Sequence, residues 1–235
     1  SQRIKSDVNR NEGLIMFMLN PFFFGASVGA IPTGLYLFNG TNGATTDTNS
    51  STNPIGIITF FNDAVISTAK AYEGSGSVRL TGGAFVGYSP TIMDSNNSVT
   101  GRDFYFSIAF NTDSNDSSQR GLMYVDNLYG YVLFRAYLEN GQVKCFIQQV
   151  DSTTYTVTVP TLNCAVDTWY KLEISRKFAT SEFKVKVGNY EVTQTLTADF
   201  ANPINRVDIG VYYDGAEFIG YVDRLVYQMD SVVPF

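Results

Sequence analysis

The strand pattern is clearest in Trp169-Tyr170-Lys171-Leu172-Glu173-Ile174-Ser175, followed soon after by Glu182-Phe183-Lys184-Val185-Lys186-Val187. In both runs, apolar side chains alternate with charged or polar ones, which is the period of a β-strand that buries one face. Gly188-Asn189 then precedes a third run, Tyr190-Glu191-Val192. A Gly-Asn pair between two such runs predicts a tight turn, so the stretch predicts an antiparallel hairpin.

The same alternation extends to both sides of this stretch. Further strands are predicted at Phe104 to Phe110, at Tyr155 to Val159 before Pro160, at Val207 to Tyr213 and at Phe218 to Tyr227. Tyr131 to Leu138 is apolar on both faces, which indicates a central strand that is covered twice. Roughly thirteen short strands separated by turn residues predict an all-β fold, a two-sheet antiparallel jelly-roll sandwich.

The composition agrees with a single β domain. The chain has 235 residues, with 18 Phe, 15 Tyr and only 16% charged residues. This composition favours strands over helices, and the length is sufficient to bury one sizeable core. We therefore predict one sandwich domain, residues 34–235, preceded by an N-terminal apolar arm, residues 1–33.

The arm has its own pattern. Arg3, Lys5 and Arg10 precede an apolar run, Leu14 to Leu19, which Asn20-Pro21 interrupts. A secretory signal has a similar order of segments, but the first residue is of the small kind left when an initiator Met is trimmed, which favours a retained arm. The apolar run is far shorter than the ~20 residues of a membrane-spanning helix. Because an apolar arm needs a cover, we predict that it contacts the sandwich or a partner chain.

Charge and residue usage exclude several kinds of function. The net charge of −6 and the lack of a basic run argue against binding to nucleic acid or to an anionic membrane surface. The chain contains no His, which removes the Ser-His and Cys-His catalytic pairs and the commonest zinc ligand. Cys145 and Cys164 are too few for a disulfide framework, so they form either one bridge or two buried thiols.

Several phrases of the sequence occur in a characteristic order. They are Leu35-Tyr36-Leu37-Phe38-Asn39-Gly40-Thr41-Asn42-Gly43, Ile66-Ser67-Thr68-Ala69, Gly74-Ser75-Gly76-Ser77, Asp167-Thr168-Trp169-Tyr170 and Glu217-Phe218-Ile219-Gly220-Tyr221-Val222-Asp223. Together they resemble laminin-G-like domains of the concanavalin A-like lectin and glucanase class, especially copies in bacteriophage structural proteins. The resemblance covers Leu35 to Tyr227. Asn49 stands where that family often has Asp, which puts a calcium role for this turn in doubt.

The resemblance implies a non-enzymatic virion protein of a phage, located in the virion, forming a homo-oligomer and attached to a capsid or tail protein through residues 1–33. The alternative is a free lectin-like module that binds a surface glycan. A divergent hydrolase ranks third, because the sugar-cleaving relatives carry a Glu-x-Asp-x-x-Glu strand that this sequence lacks. Glu217 and Asp223, on the predicted closing strand, are separated by roughly 20 Å along an extended chain, too far for glycosidase geometry.

Two residues have a structural interpretation that competes with a functional one. Asp223 shares a predicted strand face with Leu225 and Tyr227. It is either a carboxylate that orients a ligand or, as we favour, a buried Asp that accepts hydrogen bonds from backbone N–H groups of a neighbouring strand. Trp169, the only Trp of the chain, stands at the start of a strand and is predicted to lie in the core.

Candidate ligand contacts lie near the predicted turns. They are Tyr124, Asp126, Tyr129, Tyr212, Tyr213 and Asp214. Aromatic faces beside a few polar groups suit a sugar, although most tyrosines of a sandwich are half-buried strand residues. The loop Asp113 to Ser117 offers oxygens for calcium but lacks the Gly of an EF-hand loop, so a solvated loop is favoured. No other cofactor is predicted.

Overall fold

The structure, a computed structural model, describes residues 33–45, 56–90, 100–127, 131–200, 204–211 and 216–230. The predicted arm, residues 1–33, lies outside this part of the chain except for its last residue. The strands are β1 (Thr33–Tyr36), β2 (Gly56–Phe61), β3 (Val65–Ser67), β4 (Ser77–Leu80), β5 (Phe85–Pro90), β6 (Phe104–Thr112), β7 (Arg120–Asn127), β8 (Val132–Glu139), β9 (Gln142–Gln148), β10 (Thr154–Thr158), β11 (Trp169–Lys177), β12 (Glu182–Val187), β13 (Tyr190–Thr195), β14 (Ile204–Ile209) and β15 (Gly220–Met229). A 3-10 turn, Phe178–Thr180, is the only helical element of the described segments.

The strands form two antiparallel sheets. One is eight-stranded, with the order β13-β12-β11-β6-β15-β4-β3 and with β1 also pairing with β15. The other is seven-stranded, with the order β10-β9-β8-β7-β14-β5-β2. Non-consecutive neighbours in both sheets require crossings between them, as a jelly roll does. The predicted all-β, two-sheet jelly-roll sandwich is therefore confirmed.

The core lies between the sheets and is rich in aromatic rings. Phe134 of β8 projects from the seven-stranded sheet and meets three rings of the other sheet. Its centroid lies 5.8 Å from that of Phe104, 5.6 Å from that of Phe106 and 5.6 Å from that of Phe183. Tilted and offset rings at such separations attract one another beyond the area that they bury. The abundance of Phe in the sequence thus fills the space between the sheets.

The stretch from Trp169 to Val192 forms the predicted strands and hairpin. Leu172 and Ile174 of β11 are buried, as are Phe183 and Val185 of β12, while the alternate residues are partly exposed. Gly188 has a φ of 58°, which a glycine adopts without strain, and the turn joins β12 to β13. Period-two alternation was sufficient here because one face of each strand meets the core.

β15 holds the eight-stranded sheet together and contains a bulge. Its first residues pair with β4 and its last ones with β1, while its other edge pairs with β6. Asp223 pairs with Ala109 and Val226 with Ser107, so two residues of β15 stand opposite one of β6. This extra residue turns Asp223 to the outer face, whereas Leu225 belongs to the core. The predicted shared face was therefore wrong.

Two further expectations about the closing strand and the core are corrected. Glu217 precedes β15, which begins at Gly220, so it does not share that strand with Asp223. Trp169 pairs with Asn111 at the start of β11 and is only partly buried. Its ring lies against the exposed ring of Tyr72, with centroids 5.8 Å apart in an edge-to-face arrangement. Trp169 therefore lies outside the core, because its strand position points to the outer face.

The two cysteines are free and buried. Cys145 lies on the inner face of β9, and burial raises the pKa of its thiol. Burial also raises the pKa of Cys164, to about 12. Of the two alternatives that the sequence left open, the structure has two buried thiols, which pack as small apolar groups.

A candidate ligand pocket at one end of the seven-stranded sheet

A pocket of about 280 Å³ opens where β7 and β9 end and β8 and β10 begin. Its lining combines amide, hydroxyl and apolar groups. The lining residues are Asn127, Tyr131, Val132, Leu133, Gln148, Gln149, Val150 and Ser152. The volume is slightly below the range of about 300–1,000 Å³ that is typical of small-molecule pockets, so the pocket has room for a small ligand.

Hydrogen bonds within the chain hold the two sides of the pocket. The Tyr131 backbone N–H donates to the side-chain oxygen of Asn127 at 3.0 Å, and the Asn127 N–H donates to the Tyr131 carbonyl at 3.0 Å. Gln149 is buried, and its side-chain oxygen accepts the N–H groups of Thr197 at 2.9 Å and Ala198 at 3.2 Å. The pocket walls are therefore fixed by groups whose hydrogen bonds are made inside the protein.

Other polar groups of the pocket face outward. The Tyr131 side chain is 62% exposed. Within the described part of the chain, the Tyr131 hydroxyl, the Gln148 side-chain amide and the Ser152 hydroxyl make no hydrogen bond. These groups supply both donors and acceptors, and the Tyr131 ring supplies an apolar face. An exposed ring beside unused neutral hydrogen-bonding groups can bind a polyhydroxylated ring on its face and at its edge.

Two of the predicted ligand contacts, Tyr124 and Asp126, lie within β7 rather than at a turn. Both are buried on the outer face of the sheet. Asp126 accepts a hydrogen bond from Arg206 at 3.1 Å, and the Arg206 guanidinium lies 5.9 Å from the Tyr124 ring centroid. Burial raises the pKa of the Tyr124 hydroxyl. These two buried side chains thus form a cluster with Arg206 on the outer face of the sheet. A role for them in ligand contact stays a prediction.

The remaining predicted contacts, Tyr129 and Tyr212, Tyr213 and Asp214, lie outside the described residues. Asn127 precedes the first segment and Val211 the second. β7 and β14 run antiparallel, with Ile204 opposite Asn127 and Ile209 opposite Met123. The described residues that flank the two segments therefore lie at opposite ends of the sheet.

Sequence patterns missed the residues that line the pocket. Tyr131 was included in a predicted strand, but β8 begins one residue later and leaves this side chain at the turn. Gln149 carried no local signal, because its partner Thr197 is distant in sequence. The available signal was the pair of tyrosines around Gly130, Tyr129-Gly130-Tyr131, between two predicted strands.

The loop Asp113 to Ser117, which was considered for calcium, uses its oxygens internally. Asp113 forms ion pairs with Arg79 and Lys70, and Asn115 donates to the Cys164 carbonyl at 3.0 Å. The hydrogen bond from Arg120 holds the pKa of Asp116 well below its usual range. Among the residues that the structure describes, no group of three or more His, Cys, Asp or Glu side chains could hold a metal ion.

Asp223 is a buried acceptor of backbone hydrogen bonds, as favoured from the sequence. Its carboxylate accepts the N–H groups of Tyr72 at 2.9 Å, Glu73 at 3.0 Å and Arg224 at 2.7 Å. Two of these donors belong to the loop between β3 and β4 rather than to a neighbouring strand. Burial raises the pKa of Asp223 to about 6 despite these donors. The residue therefore fastens a loop to the outer face of the eight-stranded sheet.

One pair of carboxylates is brought together in a way that the sequence did not indicate. Arg206 bridges Asp126, at 3.1 Å, and Asp208, at 3.0 Å. A hydrolytic pair needs contact with the glycosidic bond and with water. Asp126 is 4% exposed and Asp208 is 0% exposed, and both are already bound to the arginine. The pair therefore has the environment of a structural ion cluster.

Comparisons with solved structures agree with this fold. Domain 4 of AbnA, a GH43 extracellular arabinanase from Geobacillus stearothermophilus, solved in complex with arabinotriose, matches with a TM-score of 0.64 and 16% identity over 87% of this chain and 95% of that one. The receptor-binding domain of botulinum neurotoxin D matches with a TM-score of 0.61 and 8% identity over 86% of this chain. The ligand-binding domain of the same serotype, solved in complex with N-acetylneuraminic acid, matches with a TM-score of 0.57 and 9% identity over 84% of this chain.

The chain spans about half the length of these toxin domains, 49% in both cases. At such identities the likeness shows the fold alone, a two-sheet jelly-roll sandwich. No protein-family model matches the sequence, and a comparison with curated proteins gives no match. The fold that the resemblance implies is confirmed, whereas the laminin-G-like family itself, the phage virion role, the capsid or tail partner and the homo-oligomer stay predictions. The described segments contain no helix long and apolar enough to cross a membrane.

Proposed function

We propose that this chain is a non-catalytic carbohydrate-binding module, and that its ligand site is the pocket at the ends of β7 and β9. The observation that carries the proposal is the exposed ring of Tyr131 beside the unused polar groups of Gln148 and Ser152, on walls held by internal hydrogen bonds. Binding sites for small ligands combine an apolar surface with a few polar groups that fix orientation. Since the walls are already ordered, a ligand loses little affinity to the cost of ordering them.

Two further observations support a binding role without bond cleavage. The domain of the arabinanase and the toxin domain described above were each solved with a sugar bound. The chain has no histidine, and the one carboxylate pair that Arg206 bridges is buried. A general acid or nucleophile for glycoside hydrolysis must reach the substrate, which these side chains do not.

The test is a glycan array with the purified chain, followed by calorimetry of the strongest ligand on variants. We expect Tyr131→Ala to weaken binding about tenfold, since a central aromatic contact contributes at least about 1.4 kcal/mol. Tyr190→Ala is the matched control, because Tyr190 is also an exposed tyrosine, 45% exposed, but lies on β13 of the other sheet. It should leave affinity unchanged.

Two results would count against the proposal. Failure of the wild-type chain to bind any glycan of the array would overturn a carbohydrate-binding function. Glycan binding that survives Tyr131→Ala and Gln148→Ala at full strength would place the ligand site elsewhere on the molecule.

A further inference from the structure

Among the residues that the structure describes, none that lines the pocket has a charged side chain. These eight residues are three apolar residues, one tyrosine, one serine and three side-chain amides. The hydrogen-bonding groups that face the pocket are therefore the neutral donors and acceptors of Tyr131, Gln148 and Ser152.

A negatively charged side chain lies beside the pocket. Asp151 stands in the β9–β10 turn between the lining residues Val150 and Ser152. Its carboxylate accepts the Thr153 N–H at 3.0 Å and lies 3.5 Å from the Gln149 amide nitrogen. The hydrogen bonds from Thr153 hold the pKa of Asp151 below its usual value, so the group is ionised at neutral pH. The net charge of the whole chain, −6, has the same sign.

Two arginines of the same sheet have their contacts elsewhere. Arg206 is bound to Asp126 and Asp208. Arg135, which follows the pocket residues on β8, places its guanidinium 4.7 Å from the centroid of the Phe146 ring. Neither residue contributes to the lining. An anionic ligand in the pocket would thus find no cation among the described residues that line it.

We infer that the pocket selects a single uncharged sugar ring, at a chain end or a side branch, and rejects uronic and sialic acids. This inference rests on the proposed function and adds the class of ligand. A carboxylate that enters the pocket loses hydration without gaining a cationic partner, which is costly, and it also meets the charge of Asp151. The volume of about 280 Å³ limits the bound part to one ring rather than a long segment.

The test uses probes that differ only in charge. They are the methyl glycosides of glucose and glucuronic acid, and of galactose and galacturonic acid, with arabinotriose as a further neutral probe and N-acetylneuraminic acid as a further anionic one. Affinities are measured on the whole chain at neutral pH by calorimetry or by ligand-observed NMR. We expect at least one neutral probe to bind in a way that Tyr131→Ala weakens, and each acid to bind at least about tenfold more weakly than its neutral counterpart.

A charge introduced into the pocket tests the cause. Gln148→Lys should raise affinity for the acidic member of a pair about tenfold, because it supplies the missing cation, and should change the neutral member little. Gln148→Met is the control for loss of the amide at similar size. If Gln148→Lys folds as the wild type and gains no affinity for the acids, lack of charge in the pocket is not what sets selectivity.

The outcomes separate this inference from the proposed function. Suppose that an acid binds the wild type as tightly as its neutral counterpart and that Tyr131→Ala weakens this binding. This result overturns the selectivity but leaves a carbohydrate-binding pocket in place. Absence of binding by all six probes overturns the inference, while the glycan array decides independently whether the chain binds other sugars.

Discussion

Asp199 binds Arg176 inside the protein, with Arg176 Nη1 2.5 Å from Asp199 Oδ1. Arg176, in β11, is only 2% exposed although it is charged. Its guanidinium carbon lies 5.1 Å from the centroid of the Phe178 ring and 5.2 Å from that of the Phe200 ring. The Asp199 carboxylate also accepts the Gly101 N–H at 2.8 Å, and its carbonyl accepts the Val150 N–H at 2.9 Å. This residue thus connects the end of β11 to the turn that forms one wall of the pocket.

Removing the charge of Asp199 should destabilise the fold. Asp199→Asn is expected to lower the free energy of unfolding by about 2–3 kcal/mol, less than for a fully buried pair because Asp199 is partly exposed. Arg176→Met removes the buried charge and keeps an apolar chain of similar length, so it should lower the free energy of unfolding by less. Urea unfolding of both variants gives the comparison, and equal stability of Asp199→Asn and wild type would show that the pair contributes nothing.

Asp223 should make stability depend on pH. Its pKa is raised from 3.8 to about 6 in the folded protein, so between about pH 4 and pH 6 the folded state holds a proton that the unfolded state has released. The free energy of unfolding contributed by this group therefore falls as pH rises through that window, by up to about 3 kcal/mol at 1.36 kcal/mol per pKa unit.

The measurement for Asp223 is the unfolding free energy of the wild type and of Asp223→Asn at several pH values from 4 to 7. The substitution alters the hydrogen bonds to Tyr72 and Glu73 by an amount that is similar at each pH, so the slope is the readout. The difference between the two proteins should change across the window. Parallel curves would show that Asp223 does not titrate there.

Gly220 should tolerate no side chain. Its φ of 151° is outside the range that other residues usually adopt, and a Cβ there would collide with the carbonyl oxygen of Asn111 and lie 3.0 Å from Thr112 Cα. Both obstacles are backbone in β6, so no side-chain movement relieves them. Gly220→Ala is expected to lower the free energy of unfolding by about 3 kcal/mol or more, or to prevent folding.

The control for Gly220 is Gly82→Ala, since a Cβ at Gly82 would meet nothing within 4 Å. It should change the melting temperature by only a degree or two, or raise it, because alanine restricts the unfolded chain. A Gly220→Ala protein as stable as Gly82→Ala would mean that β15 and β6 can move apart at this position.

Gln149 should act as a positioning residue for the pocket. Gln149→Met leaves the N–H groups of Thr197 and Ala198 without their side-chain acceptor, which is expected to cost about 2 kcal/mol of stability. Glycan affinity should fall as well, measured well below the melting temperature, because the wall that carries Val150 and Ser152 is no longer fixed.

Gln142→Met, at the start of β9, the strand that Gln149 directly follows, is the control for Gln149. It should leave both stability and affinity close to wild type. Loss of stability in Gln149→Met without any change in glycan affinity would show that Gln149 supports the fold but not the pocket.

The architecture was accessible from the sequence because local alternation coincides with burial. In β11 and β12, every second residue meets the core, so Leu172, Ile174, Phe183 and Val185 could be assigned from their spacing. Arg176 occupies the next inward position of β11, and its burial depends on Asp199, which no local pattern reveals. The bulge after Asp223 was equally hidden, since one extra residue reverses the face without altering composition.

The pocket was less accessible, because it forms between turns that are distant in sequence. The aromatic residues near predicted turns were sought as ligand contacts, yet Tyr124 is held inside a strand while Tyr131 is exposed at a turn. The two tyrosines differ because one lies within a strand and the other just before a strand begins. Alternation locates the ends of strands less reliably than their middles. The hydrogen bonds from Gln149 to residues 197 and 198 depend on the sandwich being complete.

The position of β15 has a consequence during synthesis. It is the last described strand to be made, yet it lies between β6 and β4, and it is the only described partner of β1. Until Met229 leaves the ribosome, the eight-stranded sheet consists of separate pieces with open edges. Contacts between remote segments form slowly, so we expect the nascent polypeptide to be prone to aggregation until β15 emerges.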